Sequence, residues 1–159
     1  MQKPKKSEEA MIYSILNYQY GFGAGDIIFE GNLEITRYKS GIVRGIYLDK
    51  KLIATMNPTV GVITLSKEGA RLIYEKIKNN AKTIVVDRDE FIEHSRKSLL
   101  APIVKSASPD IRMGDEVFIV DEKKELLAIG KALLSAIEIN MAKKGEVARI
   151  RRMLVNGKK

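Results

Sequence analysis

The fold is decided by residues 83–152, which read TIVVDRDEFIEHSRKSLLAPIVKSASPDIRMGDEVFIVDEKKELLAIGKALLSAIEINMAKKGEVARIRR. An apolar run opens this stretch, a charged segment follows it, and four more runs of β-forming residues alternate with tight turns. The five runs occupy residues 83–86, 99–104, 116–120, 126–134 and 146–152. Short strands at this close spacing predict a small β-barrel. Because the last strand is basic, we expect the barrel to bind a polyanion.

One short helix is predicted near the front of this barrel, over residues 88–95. Asp87, followed by Glu90 three residues later, forms the pattern of a capping box at the start of that helix. Val86 and Phe91 occupy the two positions of a hydrophobic staple. The helix leads into a basic loop and then directly into the second β-type run.

The first half of the chain, residues 1–80, is predicted to form a separate α+β domain. Apolar residues at helical spacing indicate a first helix from an N-cap at Ser7 to about Tyr20. Residues 26–29 read as a strand, and the segment up to residue 64 reads as a small antiparallel sheet. Ser66 is the expected N-cap of a second helix. The apolar face of that helix comprises Ala70, Ile73, Tyr74 and Ile77.

The glycine-rich segment at residues 21–25, GFGAG, resembles a nucleotide-binding loop only superficially. A dinucleotide fingerprint needs a strand before the glycines and a helix after them. Here a predicted helix precedes the glycines and an apolar, strand-like run follows. We therefore interpret this segment as a helix C-cap and turn rather than as a phosphate cradle.

The positive charge of the chain is concentrated at its C-terminal end. The net charge is +8, yet residues 81–138 carry −2 and residues 139–159 carry +6. A localised basic stripe is typical of proteins that bind phosphate backbones, although a basic surface can also serve only to keep a protein in solution. The cations of this stripe are Lys143, Lys144, Arg149, Arg151, Arg152, Lys158 and Lys159.

Composition excludes several classes of site. The chain has no cysteine and one histidine, His94, so a disulfide framework, a thiolate metal site and a zinc cluster are not expected. We expect no cofactor. No apolar run approaches ~20 residues, so we expect no membrane span and a cytoplasmic location. The carboxylates that could serve catalysis lack a neighbouring base or nucleophile, and we assign them to capping and surface charge. They are Asp26, Glu30, Asp87, Asp89 and Glu90.

The segments 97–104, 108–117, 126–132 and 144–148 together resemble the PUA domain, an RNA-binding module named for pseudouridine synthases and archaeosine transglycosylases. The run PDIRMGDEV followed by AIGKA is similar to the archaeal branch of that family. The N-terminal half resembles the segment that precedes the PUA domain in archaeosine tRNA-guanine transglycosylase, through YGFG, RGIYLD and LIAT. The resemblance implies an α+β pre-PUA domain at residues 1–80, followed by a mostly-β PUA-type pseudo-barrel at residues 81–159.

In that family, the helix–loop–strand at the front of the barrel and the last strand hold RNA. Where many relatives carry glycine in the front loop, this chain has Arg96, which either adds a phosphate contact or hinders close approach of the backbone. The resemblance implies no catalytic residues in this part of the family. The RNA-binding positions that it implies are Arg96, Lys97, Ser98, Ala101, Pro102, Lys143, Lys144, Gly145, Arg149 and Arg151.

Two functions are expected from these observations. The first is a non-catalytic RNA-binding protein that binds tRNA near its acceptor stem and supports tRNA modification. The alternative is a detached RNA-binding subunit of a separately encoded tRNA-modification enzyme, acting mainly through protein–protein contacts. RNA is the partner in both, and the modification enzyme is a second partner in the alternative.

Overall fold

A computed structural model describes residues 1–155 of the chain. The last two lysines of the basic stripe, Lys158 and Lys159, lie outside the described residues. The structure divides into two compact units, the first comprising Met1–Asn80 and the second beginning at Ala81. Within the described residues, no helix is both long enough and apolar enough to cross a membrane.

The first unit packs two helices against a four-stranded antiparallel sheet. Its strands follow one another as neighbours in the order β1-β2-β3-β4, so every connection within the sheet is a simple hairpin or turn. The elements, in chain order, are α1 (Lys6–Tyr20), a 3-10 helix (Ala24–Phe29), β1 (Leu33–Arg37), β2 (Val43–Leu48), β3 (Lys51–Met56), β4 (Ile63–Leu65) and α2 (Lys67–Ile77).

Two local predictions for this unit were wrong. The first helix begins after an N-cap at Lys5 rather than at Ser7, because the Glu8 carboxylate accepts the backbone N–H of Lys5 at 2.8 Å. The predicted strand at residues 26–29 is part of the 3-10 helix. Gly23 precedes that helix with a φ of +94°, a conformation that directs the chain into a tight turn.

The predicted second helix of this unit is confirmed together with its cap. The Ser66 hydroxyl accepts the backbone N–H of Gly69 at 3.0 Å, and the expected apolar face of α2 is buried. Gly69 lies directly against β3, where an added Cβ would come within 1.9 Å of the Ile53 carbonyl oxygen. Only glycine lets the helix approach the sheet so closely.

The second unit is a six-stranded mixed sheet with three short helices. The parallel pair is β5 with β8, and every other pair is antiparallel. The elements, in chain order, are β5 (Thr83–Val86), α3 (Arg88–His94), β6 (Ser98–Leu100), a 3-10 helix (Ala101–Ile103), β7 (Val104–Ala107), β8 (Glu116–Val120), β9 (Leu126–Ala132), α4 (Ala136–Met141) and β10 (Glu146–Met153).

The strand order of this sheet shows that it is curled. The order is β6-β10-β9-β8-β5-β7, so β6 and β7 form the two edges. Only Ala101–Ile103 separates these edge strands along the chain. Three residues span at most about 11 Å, so the two edges must lie close together. The predicted PUA-type pseudo-barrel is therefore confirmed.

The core of the second unit lies inside this curl. The predicted cap of α3 is present, because the Asp87 carboxylate accepts the backbone N–H of Glu90 at 3.0 Å. The staple residues Val86 and Phe91 are both fully buried. Other fully buried side chains of this core are Ile84, Leu99, Ile119, Leu127, Ala128, Ala132, Val147 and Ala148.

Two features of the second unit differ from the prediction. The run at residues 99–104 is not one strand, because a 3-10 helix with Pro102 divides it into β6 and β7. The chain also contains the helix α4, which was not predicted from the sequence. Its signal is present in the sequence as a capping box, in which the Ser135 hydroxyl and the Glu138 carboxylate each accept a backbone N–H of the other residue.

Candidate nucleic-acid interface

The two predicted RNA-binding segments lie side by side in the folded chain. Strand β6, at the end of the front loop, is the direct neighbour of β10, and Ser98 lies opposite Arg149 in that pair. The Ile150 backbone N–H donates to the Lys97 carbonyl oxygen at 2.8 Å. Residues separated by about fifty positions in the sequence thus share one edge of the sheet.

A further backbone contact ties the turn before β10 to the end of β6. The Ala101 backbone N–H donates to the Gly145 carbonyl oxygen at 2.9 Å. Lys143 and Lys144 therefore lie beside Ala101, at the end of β6 opposite to Lys97. We call the surface formed by residues 96–98 and 143–151 the basic edge.

The cations of the basic edge point into solvent. Arg96, Lys97, Lys143 and Lys144 are exposed, and the Arg149 side chain is 65% exposed. Among the described residues, no carboxylate lies within ion-pair distance of the three lysines, so their charges are available to a ligand.

The remaining predicted positions differ in what they can offer a ligand. Pro102 is exposed, Ser98 is half-buried, and the Ala101 side chain is buried at 4% exposure. Ala101 therefore contributes through its backbone bond and its packing rather than through side-chain contact. Gly145 has a φ of +88° with open space where a Cβ would stand, so its conformation rather than crowding favours glycine.

The structure shows how Arg96 is accommodated at the position where the resemblance implies a glycine. Its φ is not positive, since the non-glycine residues with positive φ in the described chain are Asp49, Lys50 and Lys124. The arginine is therefore accommodated without backbone strain. Its guanidinium makes only a long bond, 3.5 Å, to the Ile92 carbonyl oxygen.

Two carboxylates pair with arginines of the basic edge. Glu146 lies 3.5 Å from Arg149, in an exposed pair that contributes little stability. Glu116 lies 2.7 Å from Arg151, and its side chain is only 12% exposed. Burial raises the pKa of the Glu116 carboxyl above its usual value, although the charge of Arg151 opposes that shift. The charged form of Glu116 is therefore only partly compensated.

The structure adds Lys131 to the site, a residue that the sequence did not indicate. In the sheet register, Arg149 lies opposite Lys131, and Lys131 lies opposite Glu116. Directly paired residues project from the same face of a sheet, so Lys131 extends the basic edge by one strand. In the sequence, Lys131 is the one charged residue within the apolar run of β9, inside the AIGKA segment, and its side chain is exposed in the structure.

The turn between β8 and β9 is acidic, in contrast to the basic edge. Arg88 at the start of α3 is held by Asp121 at 2.9 Å and by Glu125 at 3.1 Å. A shallow cavity at this place is lined by Asp87, Arg88, Asp89, Asp121, Glu122, Lys123 and Glu125. We call these residues the acidic turn. Its excess of carboxylates is unsuited to phosphate groups.

Other candidate residues have ordinary structural roles. His94 is exposed and lies 3.5 Å from the Glu90 carboxylate, one helical turn away. Glu30 pairs with Lys76 at 2.5 Å. In the part of the chain that the structure describes, no group of three or more His, Asp or Glu side chains is placed to hold a metal ion.

The architecture matches known families over nearly the whole chain. Residues 10–80 match the family profile of the patch-forming domain C2 of tRNA-guanine transglycosylase. Residues 82–154 match the family profile of the PUA domain. The structure is similar to that of a hypothetical protein of Pyrococcus horikoshii, with a TM-score of 0.72 and 19% identity, covering 94% of this chain and 92% of that one. A conserved PUA domain protein of Thermoplasma acidophilum gives a TM-score of 0.70 at 22% identity, covering 96% and 92%.

Longer archaeal proteins also match this sequence. The tRNA-guanine(15) transglycosylase of Methanobrevibacter smithii is 40% identical over 149 residues, which cover 92% of this chain and 23% of the relative. The archaeosine synthase subunit alpha of Methanosarcina acetivorans is 32% identical over 156 residues, which cover 94% and 23%. The chain spans about a quarter of the length of these relatives. Its two units therefore match the C2 patch-forming and PUA profiles in that order, and the chain is similar to the C-terminal part of archaeal tRNA-guanine(15) transglycosylases.

Proposed function

We propose that this protein binds tRNA near its acceptor stem and supports a tRNA-modification reaction that it does not itself catalyse. The observation that carries the proposal is the basic edge, where Lys97 of the front loop lies next to Arg149 of the last strand, and Lys143 and Lys144 lie at the other end of the same strand pair. The relatives that it matches are named for acting on tRNA.

The geometry of the basic edge suits a folded RNA. Double-helical RNA presents phosphates and 2′-hydroxyls in a fixed A-form arrangement, and proteins recognise it largely through that shape. The edge is backed by β6 and β10, which are hydrogen-bonded to each other and anchored in the core through Leu99 and Ala148. Cations on such a backing keep their spacing, so they can match a repeating row of phosphates.

We propose a role without catalysis because the carboxylates that could serve as catalytic groups make structural contacts instead. Asp87 caps α3, Glu30 pairs with Lys76, and Glu90 pairs with His94 on an exposed helix face. Each carboxylate is thereby engaged in a structural contact, and none of them adjoins a nucleophile.

The test is the salt dependence of binding to tRNA. Contacts between lysines and phosphates release counterions, so affinity should fall steeply, by about 10- to 1,000-fold, between 50 and 200 mM salt for a handful of contacts. Filter binding or fluorescence anisotropy with the full chain and unmodified tRNA measures this dependence. An affinity that does not change with salt would overturn the phosphate-contact proposal.

A second candidate function is favoured by the share of the relatives that the chain covers. Since the chain matches about a quarter of their length, it can serve as a detached RNA-binding subunit of a separately encoded tRNA-modification enzyme. Under this proposal, the tagged protein should recover a transglycosylase-type polypeptide from native extract, identified by mass spectrometry. Recovery of tRNA with no such polypeptide would favour the first proposal.

A further inference from the structure

One row of directly paired charged residues crosses three strands of the second unit. Arg149 of β10 lies opposite Lys131 of β9, and Lys131 lies opposite Glu116 of β8. Residues paired in this way project from the same face of a sheet, with their Cβ atoms about 4.5–5.5 Å apart. Like charges at this distance destabilise the pairing of the strands. The row therefore sets a repulsive pair, Arg149 with Lys131, on the surface of the sheet.

A β-bulge adds a third cation to this row. The register between β9 and β10 shifts between Ile150 and Arg152, so Arg151 is the extra residue of the bulge. The Arg151 guanidinium lies 2.7 Å from the Glu116 carboxylate, on the face from which Lys131 projects. Bulges are frequent beside functional sites, where they redirect a side chain. We call Lys131, Arg149 and Arg151 the cation triad.

The backbone beneath the triad holds its side chains at a fixed spacing. Gly130 lets β9 approach β10 closely, since an added Cβ would come within 2.4 Å of the Arg149 carbonyl oxygen. The next residue pair of the same two strands, Ala132 opposite Ala148, is fully buried in the core. The triad is therefore mounted on a well-packed part of the barrel rather than on a loop.

The carboxylates beside the triad do not neutralise it. Glu146 lies 3.5 Å from Arg149 in an exposed pair. Glu116 faces both Arg151 and Lys131, but burial raises its pKa and so weakens it as a counterion. Over residues 1–155, no carboxylate lies within ion-pair distance of Lys131. An unmatched cation directly opposite a second cation indicates a binding position for an anion.

The triad suits a phosphate monoester better than a phosphodiester. A phosphodiester inside an RNA strand carries one negative charge and has a nucleoside on each side. A terminal phosphate carries about −1.5 to −2 charges at pH 7 and offers three acceptor oxygens. Arginine can donate two parallel N–H bonds to such oxygens, and lysine adds a point charge. Three cations on one small area of the sheet can therefore all donate to one terminal phosphate.

We propose that the cation triad is a binding subsite for the 5′-terminal phosphate of an RNA strand. The inference rests on the RNA binding proposed above and adds the chemical group that fixes the end of the strand. Arg149 and Arg151 belong to the basic edge, and Lys131 lies one strand further from β6. RNA bound along the basic edge can thus place its end in the subsite. A terminal phosphate has a nucleoside on one side only, which leaves its oxygens accessible to all three cations.

The test uses two acceptor-stem hairpins of identical sequence, one with a 5′-phosphate and one with a 5′-hydroxyl, each labelled in the loop. Fluorescence anisotropy measures their affinities for the full chain at one salt concentration. The 5′-phosphate hairpin should bind about 5- to 20-fold more tightly, the size expected for one added phosphate held by cations at an exposed site. Lys131→Ala should reduce this ratio to within about twofold, although the loss of a cation weakens binding of both hairpins.

Three controls separate a specific subsite from the effect of added charge. A hairpin with a 5′-hydroxyl and a 3′-phosphate has the same charge as the 5′-phosphate hairpin, and it should bind like the unphosphorylated one. Lys105→Ala removes an exposed cation from β7 and should keep the wild-type ratio. Lys131→Arg keeps the charge and should retain most of the preference.

The possible failures are distinguishable. Equal affinity of the wild-type chain for the 5′-phosphate and 5′-hydroxyl hairpins would overturn the subsite and leave the proposed function standing. A full preference in Lys131→Ala, or equal binding of the 3′-phosphate and 5′-phosphate hairpins, would overturn the assignment of the subsite to the triad. Failure of every hairpin to bind would overturn the proposed RNA binding and the subsite with it.

Discussion

Two arginine–carboxylate pairs in the second unit have similar distances and burial, but their carboxylates accept different numbers of hydrogen bonds. Arg88 pairs with Asp121 at 2.9 Å in the acidic turn, and Arg151 pairs with Glu116 at 2.7 Å on the basic edge. Both carboxylates are largely buried, with 5% and 12% of their side chains exposed. Their pKa values nevertheless shift in opposite directions.

The difference lies in the number of donors. Burial alone would raise the pKa of Asp121, but backbone N–H groups of Glu125 and Lys123, each at 2.9 Å, together with Arg88 lower it instead. The side chain of Glu116 has Arg151 as its close hydrogen-bonding cation, so burial prevails and its pKa is raised. The acidic turn thus holds a fully compensated charge, whereas the charge of Glu116 is compensated only in part.

This contrast indicates which charged pairs of the second unit stabilise its fold and which cations are available to a ligand. Removing Asp121 would leave two backbone N–H groups without their acceptor and would leave Arg88 paired with Glu125 alone, so Asp121 stabilises the turn. Arg151 is held by a carboxylate that burial destabilises, so a phosphate group can replace that carboxylate at low cost. We infer that Arg151, whose carboxylate partner is only partly compensated, is available to bind RNA, whereas Arg88 serves to stabilise the fold.

The largest effect is expected from breaking the acidic turn. Asp121→Ala should lower the free energy of unfolding by about 2–3 kcal/mol, because two backbone N–H groups lose their acceptor and Arg88 keeps only Glu125. Chemical denaturation measures this change, and tRNA affinity should not change. Glu122→Ala, at an exposed neighbouring position, is the control and should cost less than about 0.5 kcal/mol. Equal losses in the two variants would mean that Asp121 has no special role.

The two carboxylates should also respond oppositely to pH. A lowered pKa stabilises the fold above the usual value of 3.8, so the contribution of Asp121 is lost as pH falls below that value. A raised pKa acts the other way, so the contribution of Glu116 is present below 4.5 and is lost as pH rises through its folded-state pKa.

Denaturation across a pH series checks these signs with two neutral variants. The stability deficit of Asp121→Asn relative to wild type should shrink as the solution becomes more acidic than pH 3.8. Glu116→Gln should gain stability relative to wild type as pH rises from 4.5. Parallel pH curves for Glu116→Gln and wild type would contradict the raised pKa.

The smallest effect is expected on RNA affinity when Glu116 is neutralised. Glu116→Gln keeps a hydrogen-bonding group beside Arg151 but removes the competing negative charge. Affinity for tRNA should increase about two- to fivefold, the size expected for one partly screened charge. Competition binding against wild type resolves a change of this size. A decrease would show that the carboxylate positions Arg151 for binding rather than competing with RNA.

Local sequence signals predicted much of this fold because each depends on near neighbours. The caps at Ser66 and Asp87 follow from residues three positions apart, and α4 could have been predicted in the same way from Ser135 and Glu138. The run at residues 26–29 was misread because its apolar residues fit a strand equally well. The turn set by Gly23 instead makes it helical.

The assembly of the candidate site could be anticipated only in part. Charge and family resemblance indicated the front loop and the last strand, and the structure places them together at the basic edge. The pairing of Arg151 with Glu116 and the position of Lys131 depend on strand register across β8, β9 and β10. Register is set by long-range packing, which no local pattern in the chain reports.

The most direct test of the account compares two double variants with the same loss of charge. Lys97→Ala with Arg149→Ala removes two cations from the basic edge, and Lys105→Ala with Lys123→Ala removes two exposed cations from elsewhere in the same unit. The measurement is tRNA affinity as a function of salt concentration, by fluorescence anisotropy.

If RNA binds at the basic edge, the basic-edge variant should bind about 10- to 100-fold more weakly. The slope of log affinity against log salt should also fall by about 1.4–1.8, as expected for two lost phosphate contacts. The control variant should keep both the affinity and the slope within about twofold of wild type. Equal losses in the two variants would show that only the net charge matters, and would contradict a binding site at the basic edge.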